Sequence, residues 1–199
     1  MFKFKKKKSE EKKTFIQDVL ELVRFTILVL IVVIPLRMFV AQPFIVSGHS
    51  MVPTFGDGDY LIVDEISYKT HEPQRGEVIV FKLPSNHSRF LIKRVIGLPG
   101  EIVVINGSKI TITKKDGEVI QLDENYIKEN FSAYGTWELQ DEEYFVMGDN
   151  RNNSSDSRSW GVLDKELIIG KTFLRLFPFQ NLDLKPGQAE PSQMEIALP

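Results

Sequence analysis

Phe90-Leu-Ile-Lys-Arg-Val-Ile96 is a short run in which five of the seven side chains are apolar and the two charged ones stand in the middle. Branched and aromatic residues at this density are typical of a β-strand. Alternate side chains of a strand point to opposite faces, so Lys93 lies on one face between Leu91 and Val95, and Arg94 lies on the other. The stretch therefore predicts a strand that carries two charged groups into apolar surroundings.

Similar short apolar runs recur along the chain, separated by Gly, Pro and Asn. They are Tyr60–Ile66, Glu77–Phe81, Glu101–Ile105, Lys109–Thr113, Glu118–Leu122, Tyr144–Met147 and Leu167–Phe177. Asn106-Gly107 and Asp116-Gly117 join three of these runs, and such dipeptides accept the positive φ angles of tight hairpin turns. The sequence predicts a mainly β domain over residues 42–180 that includes a three-stranded meander. Residues 181–199 show little periodicity and are predicted to form a loose tail.

The basic residues of the chain are concentrated at its start. Residues 1–13 hold seven Lys against Glu10 and Glu11, a charge of +5, which leaves −7 for residues 14–199. A basic cluster directly before an apolar run keeps that side in the cytoplasm and attracts it to anionic lipid. Nucleic-acid binding is the alternative, but the acidic body offers no second basic patch, so no nucleic-acid partner is expected.

An apolar run follows the basic start. Thr14-Phe-Ile-Gln17 has the form of a capping box, and Leu22 to Ala41 is about twenty residues, roughly 30 Å as a helix. Pro35 and Pro43 are expected to kink this helix and then end it. A cleaved signal peptide is the alternative, but no small-x-small cleavage site closes the run. We expect residues 14–41 to form an uncleaved plasma-membrane anchor, with a cytoplasmic amino terminus and the β domain outside.

The composition excludes several kinds of site. The 199 residues are 42% hydrophobic, enough for one globular domain with a real core, and include no cysteine. Disulfides, thiolate nucleophiles and cysteine metal sites are therefore excluded.

Ser50 is the candidate nucleophile, in the segment Phe44-Ile-Val-Ser-Gly-His-Ser-Met-Val-Pro-Thr54 directly after the apolar run. A serine hydroxyl is a weak nucleophile unless a base takes its proton. His49 is adjacent to Ser50 and should point to the opposite side, and His71 and His87 stand in polar loops. The segment also lacks the second glycine of a nucleophile elbow. A histidine triad and an α/β-hydrolase are both disfavoured.

Lys93 is a better candidate for the base. Burial among apolar residues disfavours the ammonium form and lowers the pKa of a lysine. Keeping a lysine neutral at pH 7 costs about 4.6 kcal/mol at a pKa of about 10.4, and about 1.4 kcal/mol at a pKa of roughly 8. The alternative is a strand lysine whose amine reaches solvent at a sheet edge.

A third cluster of polar side chains lies in residues 148–161, between apolar strands. A calcium loop would need an oxygen ligand at its third position, where Arg151 stands, so no metal is expected. A plain solvated loop is the other alternative. Ion pairs can form among Asp149, Arg151, Asp156, Arg158 and Arg94, and Ser154 can hydrogen-bond an amine.

Together these segments resemble the type I signal peptidases, the membrane-bound Ser/Lys proteases that remove signal peptides from exported proteins. Three motifs carry the resemblance, in the expected order after an anchor, and it extends to about residue 178. They are Ser47-Gly-His-Ser-Met-Val-Pro-Thr54, Lys93-Arg-Val-Ile-Gly-Leu-Pro-Gly100 and Gly148-Asp-Asn-Arg-Asn-Asn-Ser-Ser-Asp-Ser-Arg158.

The resemblance implies a role for each matching residue. Ser50 matches the nucleophile, Lys93 the general base, and Ser154 the hydroxyl that orients the lysine amine. The pairs Asp149 with Arg94 and Asp156 with Arg158 match ion pairs that brace the site. Part of the family has an oxyanion-binding serine two residues before the nucleophile, where this chain has Gly48. The expected oxyanion donors are then the Ser50 backbone N–H and a donor near Gly48, and a role for Ser47 is open.

The resemblance also implies the family's mainly β catalytic domain, with residues 101–145 as a variable insertion. The implied substrates are preproteins with small residues such as Ala before the cut. Membrane lipids and proximity to the export translocon follow as partners, and no cofactor is implied.

An apolar set surrounds Ser50 in the sequence: Phe44, Met51, Val52, Pro53 and Phe55. Only eight residues separate Ala41 from Ser50, about 30 Å when extended, so Ser50 should work close to the membrane. We expect several of the set to face lipid or the apolar substrate, and packing into the core is the alternative.

Two other functions stay open. One is a membrane-anchored β domain without activity. The other is a self-processing Ser/Lys protease of the repressor type, but those carry a DNA-binding domain rather than an anchor.

Overall fold

The computed structural model describes residues 17–33, 41–189 and 194–197. Residues 17–33 form helix α1, inside the helix that the sequence predicts over residues 14–41. The basic start, the capping box at Thr14 and the kink at Pro35 lie outside the described residues. Nowhere in the described ranges does a helix have both the length and the apolar character that crossing a membrane requires.

The described residues from Ala41 onward are mainly β, as predicted. The strands are β1 (Ala41–Ile45), β2 (Tyr60–Asp64), β3 (Val78–Leu83), β4 (Asn86–Gly97), β5 (Ile102–Gly107), β6 (Lys109–Thr113), β7 (Val119–Leu122), β8 (Ala133–Glu138), β9 (Glu143–Met147), β10 (Leu163–Asp164), β11 (Ile168–Phe177), β12 (Asp183–Leu184) and β13 (Glu195–Ala197). Short helices are α2 (Ser157–Trp160) and the 3-10 turns Ser67–Lys69, Lys165–Leu167 and Phe179–Asn181. The eight predicted strands are all present, with ends that differ by at most four residues.

Eight strands form an antiparallel sheet in the order β1-β2-β11-β3-β4-β9-β10, with β12 paired to β11. Strand β4 carries both Lys93 and Arg94. Lys93 pairs with Ile79 of β3, and Arg94 pairs with Val78 of β3 on one side and with Met147 of β9 on the other. Before Arg94, β4 pairs with β3 alone among the described residues. One side of the sheet covers a core of Ile79, Phe81, Val95, Tyr144, Val146 and Leu163, and a second core is formed by Val46, Met51, Phe55, Leu61 and Val78.

Pro43 differs from its prediction. We expected it to end a helix, but it lies inside strand β1 and pairs with Ile62 of β2. Strand β1 is at the edge of the sheet. A proline lacks the N–H that a central strand needs on both sides, so an edge strand is where a sheet accepts it.

Five strands form a second antiparallel sheet in the order β13-β7-β6-β5-β8. The pairing of β5 with β6 and of β6 with β7 confirms the predicted meander. Gly107 and Gly117 have φ angles of +65° and +87°, as the predicted tight turns require. Strand β8 was not predicted, because Gly135 interrupts its pattern. The core of this sheet includes Ile96 and Phe145 of the first sheet.

The predicted loose tail is where the structure differs most from the sequence expectation. Residues 183–184 pair with β11, and β13 extends the second sheet by pairing with β7. Met194 is buried, and the Glu195 carboxylate accepts from the buried Arg75 at 2.9 Å. These contacts join segments far apart in sequence, so no local periodicity reveals them.

Candidate active site

Ser50 and Lys93 lie in contact. The Lys93 Nζ donates to Ser50 Oγ at 2.7 Å and to the Ile92 carbonyl oxygen at 2.8 Å. Ser50 follows edge strand β1 in a turn, while Lys93 is near the middle of β4, 43 residues further along the chain. Antiparallel pairing through the sheet brings the two segments together.

The turn that carries Ser50 is held on both sides. Met51 and Phe55 are almost fully buried in the core beneath it. The Asn150 backbone N–H donates to the Ser50 carbonyl oxygen at 3.0 Å, and the Asn150 side-chain amide donates to the His49 carbonyl oxygen at 3.0 Å. The turn is therefore fixed by apolar packing from below and by hydrogen bonds from the 148–161 loop.

Lys93 is 2% exposed, and its amine has no carboxylate within ion-pair distance among the described residues. Burial lowers the pKa of Lys93 from 10.5 to about 8, and the more distant charges of Asp156 and Asp149 oppose part of this fall. The alternative of an amine that reaches solvent at a sheet edge is excluded by this burial. The amine can therefore lose its proton near neutral pH.

Arg94, the next residue, is also buried but has a carboxylate partner. Its guanidinium binds Asp149 through two hydrogen bonds of 2.9 and 2.6 Å, and both side chains are at most 1% exposed. Burial acts to lower the pKa of Arg94, but the hydrogen bonds and charge of Asp149 outweigh burial and leave the pKa raised. Thr54 Oγ1 donates to Asp149 at 2.5 Å. Asp149 thus ties the Ser50 turn to strand β4.

Asp156 and Arg158 also pair, through two side-chain hydrogen bonds of 2.8 Å. Asp156 caps α2 by accepting from the Arg158 backbone N–H, and it accepts from the Gly148 N–H at 3.0 Å. Asp156 is fully buried. The pair therefore connects both ends of the 148–158 segment.

Ser154 differs from its expectation. We predicted a hydrogen bond to the lysine amine, but the buried Ser154 hydroxyl has no hydrogen-bond partner among the described residues. It lies against Gly148, where an added Cβ would overlap both Ser154 Oγ and the Ser50 carbonyl oxygen. The hydroxyl is thus close to the Ser50 turn but does not bind Lys93 in this arrangement.

The expected oxyanion donor at Gly48 is engaged elsewhere. Its backbone N–H donates to Asp57 at 2.7 Å, so the expectation that it takes part in an oxyanion hole is not met. The φ of Gly48 is +97°, which L side chains rarely adopt, so a serine at this position would be strained. The Ser50 N–H donates no hydrogen bond among the described residues and is available to an oxyanion.

The apolar set around Ser50 separates into two groups. Met51 and Phe55 are core residues, at 1% and 0% exposure, so the expectation that they face lipid or substrate is wrong. Phe44 and Val52 are half-buried and Pro53 is exposed. The sequence alone could not divide the set, since burial depends on which side of the turn faces the sheet.

A cavity of about 490 Å³, measured with its open mouth, lies beside Ser50 and Lys93. Its walls are largely apolar and come from β1 and the following turn on one side and from β4 on the other. They include Phe44, Ile45, Val46, Ser47, Phe90, Leu91 and Ile92. The rings of Phe44 and Phe90 meet edge to face at 5.5 Å between centroids. Both β1 and the first half of β4 have one edge without a strand partner among the described residues.

His49, His71 and His87 are all exposed, and among the described residues none of them hydrogen-bonds Ser50. No group of three or more His, Asp or Glu among those residues could hold a metal ion. Among the described residues, the basic side chain that contacts Ser50 Oγ is that of Lys93.

Two residues of the site were missed by sequence reasoning. Glu124 binds the buried Arg151 through two hydrogen bonds, and the Tyr126 ring lies 3.9 Å from the Arg94 guanidinium. We had assigned Arg151 to the carboxylates of its own loop. Nothing in the local sequence links it to a residue 27 positions earlier.

Comparisons with known sequences agree on one family. The model of the family described as signal peptidase, peptidase S26, matches residues 19–177. A protein named probable signal peptidase I-2 from Synechocystis sp. is 38% identical over 200 residues, 97% of this chain and 87% of that protein. Signal peptidase IB of Staphylococcus aureus is 34% identical over 156 residues, 71% of this chain and 80% of that protein. A crystal structure of a signal peptidase I from Enterococcus faecalis V583 covers 51% of this chain and 97% of its own, at 30% identity and a TM-score of 0.44. On the sequence matches, the chain belongs to the S26 signal peptidase family and is a serine peptidase.

Proposed function

We propose that this chain removes N-terminal signal peptides from preproteins, with Ser50 as the nucleophile and Lys93 as the general base. The observation that carries the proposal is the 2.7 Å contact of Lys93 Nζ with Ser50 Oγ in buried surroundings. Membership of the S26 signal peptidase family supports the substrate class.

The first chemical step follows from this contact. Neutral Lys93 accepts the Ser50 hydroxyl proton as Oγ attacks the carbonyl carbon of the scissile bond. The oxyanion that forms is bound by the Ser50 backbone N–H. The Lys93 ammonium then gives its proton to the leaving amine, which departs as the new amino terminus of the mature protein, and the signal peptide stays esterified to Ser50.

The second step returns the enzyme to its starting state. A water molecule attacks the ester while Lys93 takes its proton, and Lys93 then gives that proton to Ser50 Oγ as the signal peptide leaves. A pKa of about 8 suits both directions of transfer. Holding the amine neutral at pH 7 then costs about 1.4 kcal/mol rather than the roughly 5 kcal/mol of an ordinary lysine.

The cavity supports an extended, apolar substrate. A peptide that enters between the unpaired edges of β1 and β4 can add to either strand through backbone hydrogen bonds. Membership of the signal peptidase family supports small side chains such as Ala before the cut. We propose this Ala-x-Ala-like preference for the chain.

We also propose that the enzyme works at a membrane. The basic residues 1–13 and the apolar run Leu22 to Ala41 support an anchor with a cytoplasmic amino terminus, which would bring lipids and the export translocon close to the site.

The test is processing of a reporter preprotein by the purified full chain and by its Ser50→Ala variant, followed by mass spectrometry of the products. We expect one cut after a small residue with the wild type and none with the variant. Ser108→Ala is the matched control, because Ser108 is an exposed serine in a turn of the second sheet. Cleavage by Ser50→Ala at the wild-type rate would refute the assignment, and cleavage of the chain itself without cleavage of the reporter would favour a self-processing protease.

A further inference from the structure

The loop of residues 123–131, which joins β7 to β8 in the second sheet, reaches two buried arginines of the site. Its Glu124 binds Arg151, with Nη1 to Oε2 at 2.7 Å, and its Tyr126 ring stacks on Arg94. The Tyr126 hydroxyl donates to Glu124 at 2.6 Å, so the two contacts are joined to each other. We call residues 123–131 the clamp loop.

Arg151 depends on the clamp loop for its charge balance. Its side chain is fully buried, and Glu124 is its ion-pair partner among the described residues. Burial acts to lower the pKa of Arg151, and the charge and hydrogen bonds of Glu124 reverse this effect and raise the pKa. A buried guanidinium without a carboxylate is strongly destabilising, so loss of Glu124 should displace Arg151.

Arg151 in turn supports the Ser50 turn. Its Nε donates to the Gly148 carbonyl oxygen at 3.1 Å. Gly148 packs so closely on the Ser50 carbonyl oxygen and on Ser154 that a Cβ would overlap both. A shift of Arg151 would therefore move the backbone against which the nucleophile rests.

Tyr126 contacts Arg94, the second buried arginine of the site. Its ring covers the Arg94 guanidinium, which binds Asp149 and lies next to Lys93 in β4. A guanidinium over an aromatic face is attracted by the ring and is held in one plane. Arg94 can therefore keep both hydrogen bonds to Asp149, which also receives the Thr54 hydroxyl.

We propose that Glu124 and Tyr126 are positioning residues for the Ser50–Lys93 pair, and that the second sheet is thereby part of the catalytic apparatus. The inference rests on the proposed function of Ser50 and Lys93. Neither residue lines the cavity beside Ser50, so their effect should fall on the chemical step and not on substrate binding.

The experiment measures kcat and KM for reporter processing by the full chain carrying Glu124→Gln or Tyr126→Leu. We expect kcat to fall about tenfold or more, toward the roughly hundredfold loss that a 1 Å misplacement can cause, with KM changed less than about twofold. Glu118→Gln and Tyr134→Leu are the matched controls, since Glu118 is exposed directly before β7 and Tyr134 is exposed on β8, and they should keep wild-type kcat. Tyr126→Phe keeps the ring over Arg94 and should recover most of the activity.

A double variant tests whether Glu124 acts through Arg151. If it does, Glu124→Gln should lower kcat much less in an Arg151→Met background than in the wild type. If the double variant instead lost the product of the two single fold-losses in kcat, Glu124 would not act through Arg151.

Folding is separated from positioning by expressing kcat per folded molecule, with the folded fraction taken from near-ultraviolet circular dichroism. If Glu124→Gln is unfolded at the assay temperature, Glu124→Asp replaces it, because it keeps the charge but shortens the reach, and it should lose several-fold in kcat. Wild-type kcat per folded molecule in these variants would overturn the inference. Ser50→Ala is run beside them: if it remains active, the proposed function fails, and if it is inactive while the clamp-loop variants are normal, only the present inference fails.

Discussion

Lys93 and Arg94 are neighbours on opposite faces of strand β4, and their surroundings shift their pKa values in opposite directions. Arg94 meets a buried carboxylate, two backbone carbonyl groups and an aromatic ring, and its pKa is raised. Lys93 is about equally buried, but its amine meets a hydroxyl and one carbonyl oxygen, and its pKa falls to about 8. Burial therefore does not decide the charge of a side chain. Residue type and partner decide it together: Arg94 combines the intrinsically high pKa of a guanidinium with a carboxylate partner, whereas the Lys93 amine has neither and can exchange a proton near neutral pH.

We infer different tasks for Lys93 and Arg94 from this difference in pKa. A guanidinium is protonated at every working pH and can only hold other groups in place. A lysine amine with a lowered pKa can accept and return a proton.

Lys93→Arg should place a permanently charged guanidinium at position 93 as well as at position 94, so no side chain there could accept a proton. A general base contributes about 10²–10⁴-fold to a rate, so we expect kcat/KM to fall at least a hundredfold. Reporter processing measures it, and Lys93→Met, which removes the amine without adding bulk, should be equally inactive. The half-buried Lys82 of β3 supplies the control Lys82→Arg. Retention of more than a few per cent of activity in Lys93→Arg would exclude lysine as the base.

Asp149→Asn should leave the Arg94 charge buried without its partner. We expect the free energy of unfolding to fall by about 3–5 kcal/mol, measured by guanidinium denaturation of the full chain in detergent. Asp141→Asn is the control, because Asp141 is 92% exposed and its ion pair with Lys115 should contribute little. Equal stability of the two variants would mean that Asp149 does not balance Arg94.

Lys93→Met should increase stability at pH 7. The folded pKa of Lys93 is about 8 and the reference value is 10.5, a difference that corresponds to roughly 3 kcal/mol. Between these pH values the unfolded wild type holds one proton more than the folded form, so wild-type stability rises with pH across this window. The variant should be more stable than the wild type by up to about 3 kcal/mol below pH 8, and the gap should close toward pH 10.5. The exposed Lys128 supplies the control Lys128→Met, whose difference in unfolding free energy from the wild type should not change with pH.

The pH dependence of kcat/KM should show an acid limb at an apparent pKa near 8. Below it the Lys93 amine is protonated, so activity should fall about tenfold per pH unit and about a hundredfold by pH 6. Asp156→Asn should move the limb to lower pH, because the Asp156 charge raises the pKa of Lys93. A limb centred near 6.5 would point to histidine instead.

His49→Ala should change kcat/KM less than about twofold. The side chain is exposed and Ser50 Oγ accepts from Lys93 instead. If the substitution abolished activity while Lys93→Ala remained active, the roles of the two residues would be reversed.

The sequence predicted the parts of the fold that depend on local pattern. Tyr60–Ile66 and Lys109–Thr113 alternate or cluster branched residues enough to identify strands, and the glycines at 107 and 117 identify turns. Strands β12 and β13 lack such a signal, since pairing with distant segments makes them strands. The second group therefore could not be predicted from periodicity.

The functional site also has features that follow from the local sequence and features that depend on contacts between distant segments. The residue types at positions 50 and 93, and the apolar neighbours of Lys93 in its strand, were enough to propose a nucleophile and a base. Three features are visible only in the folded chain: Glu124 balances Arg151, Asp57 accepts from the Gly48 N–H, and Met51 and Phe55 are core residues. Each of these depends on the contact of segments distant in sequence or on which face of a turn is covered. The chain by itself determines the chemical groups, and packing determines which of them are paired, buried or free to react.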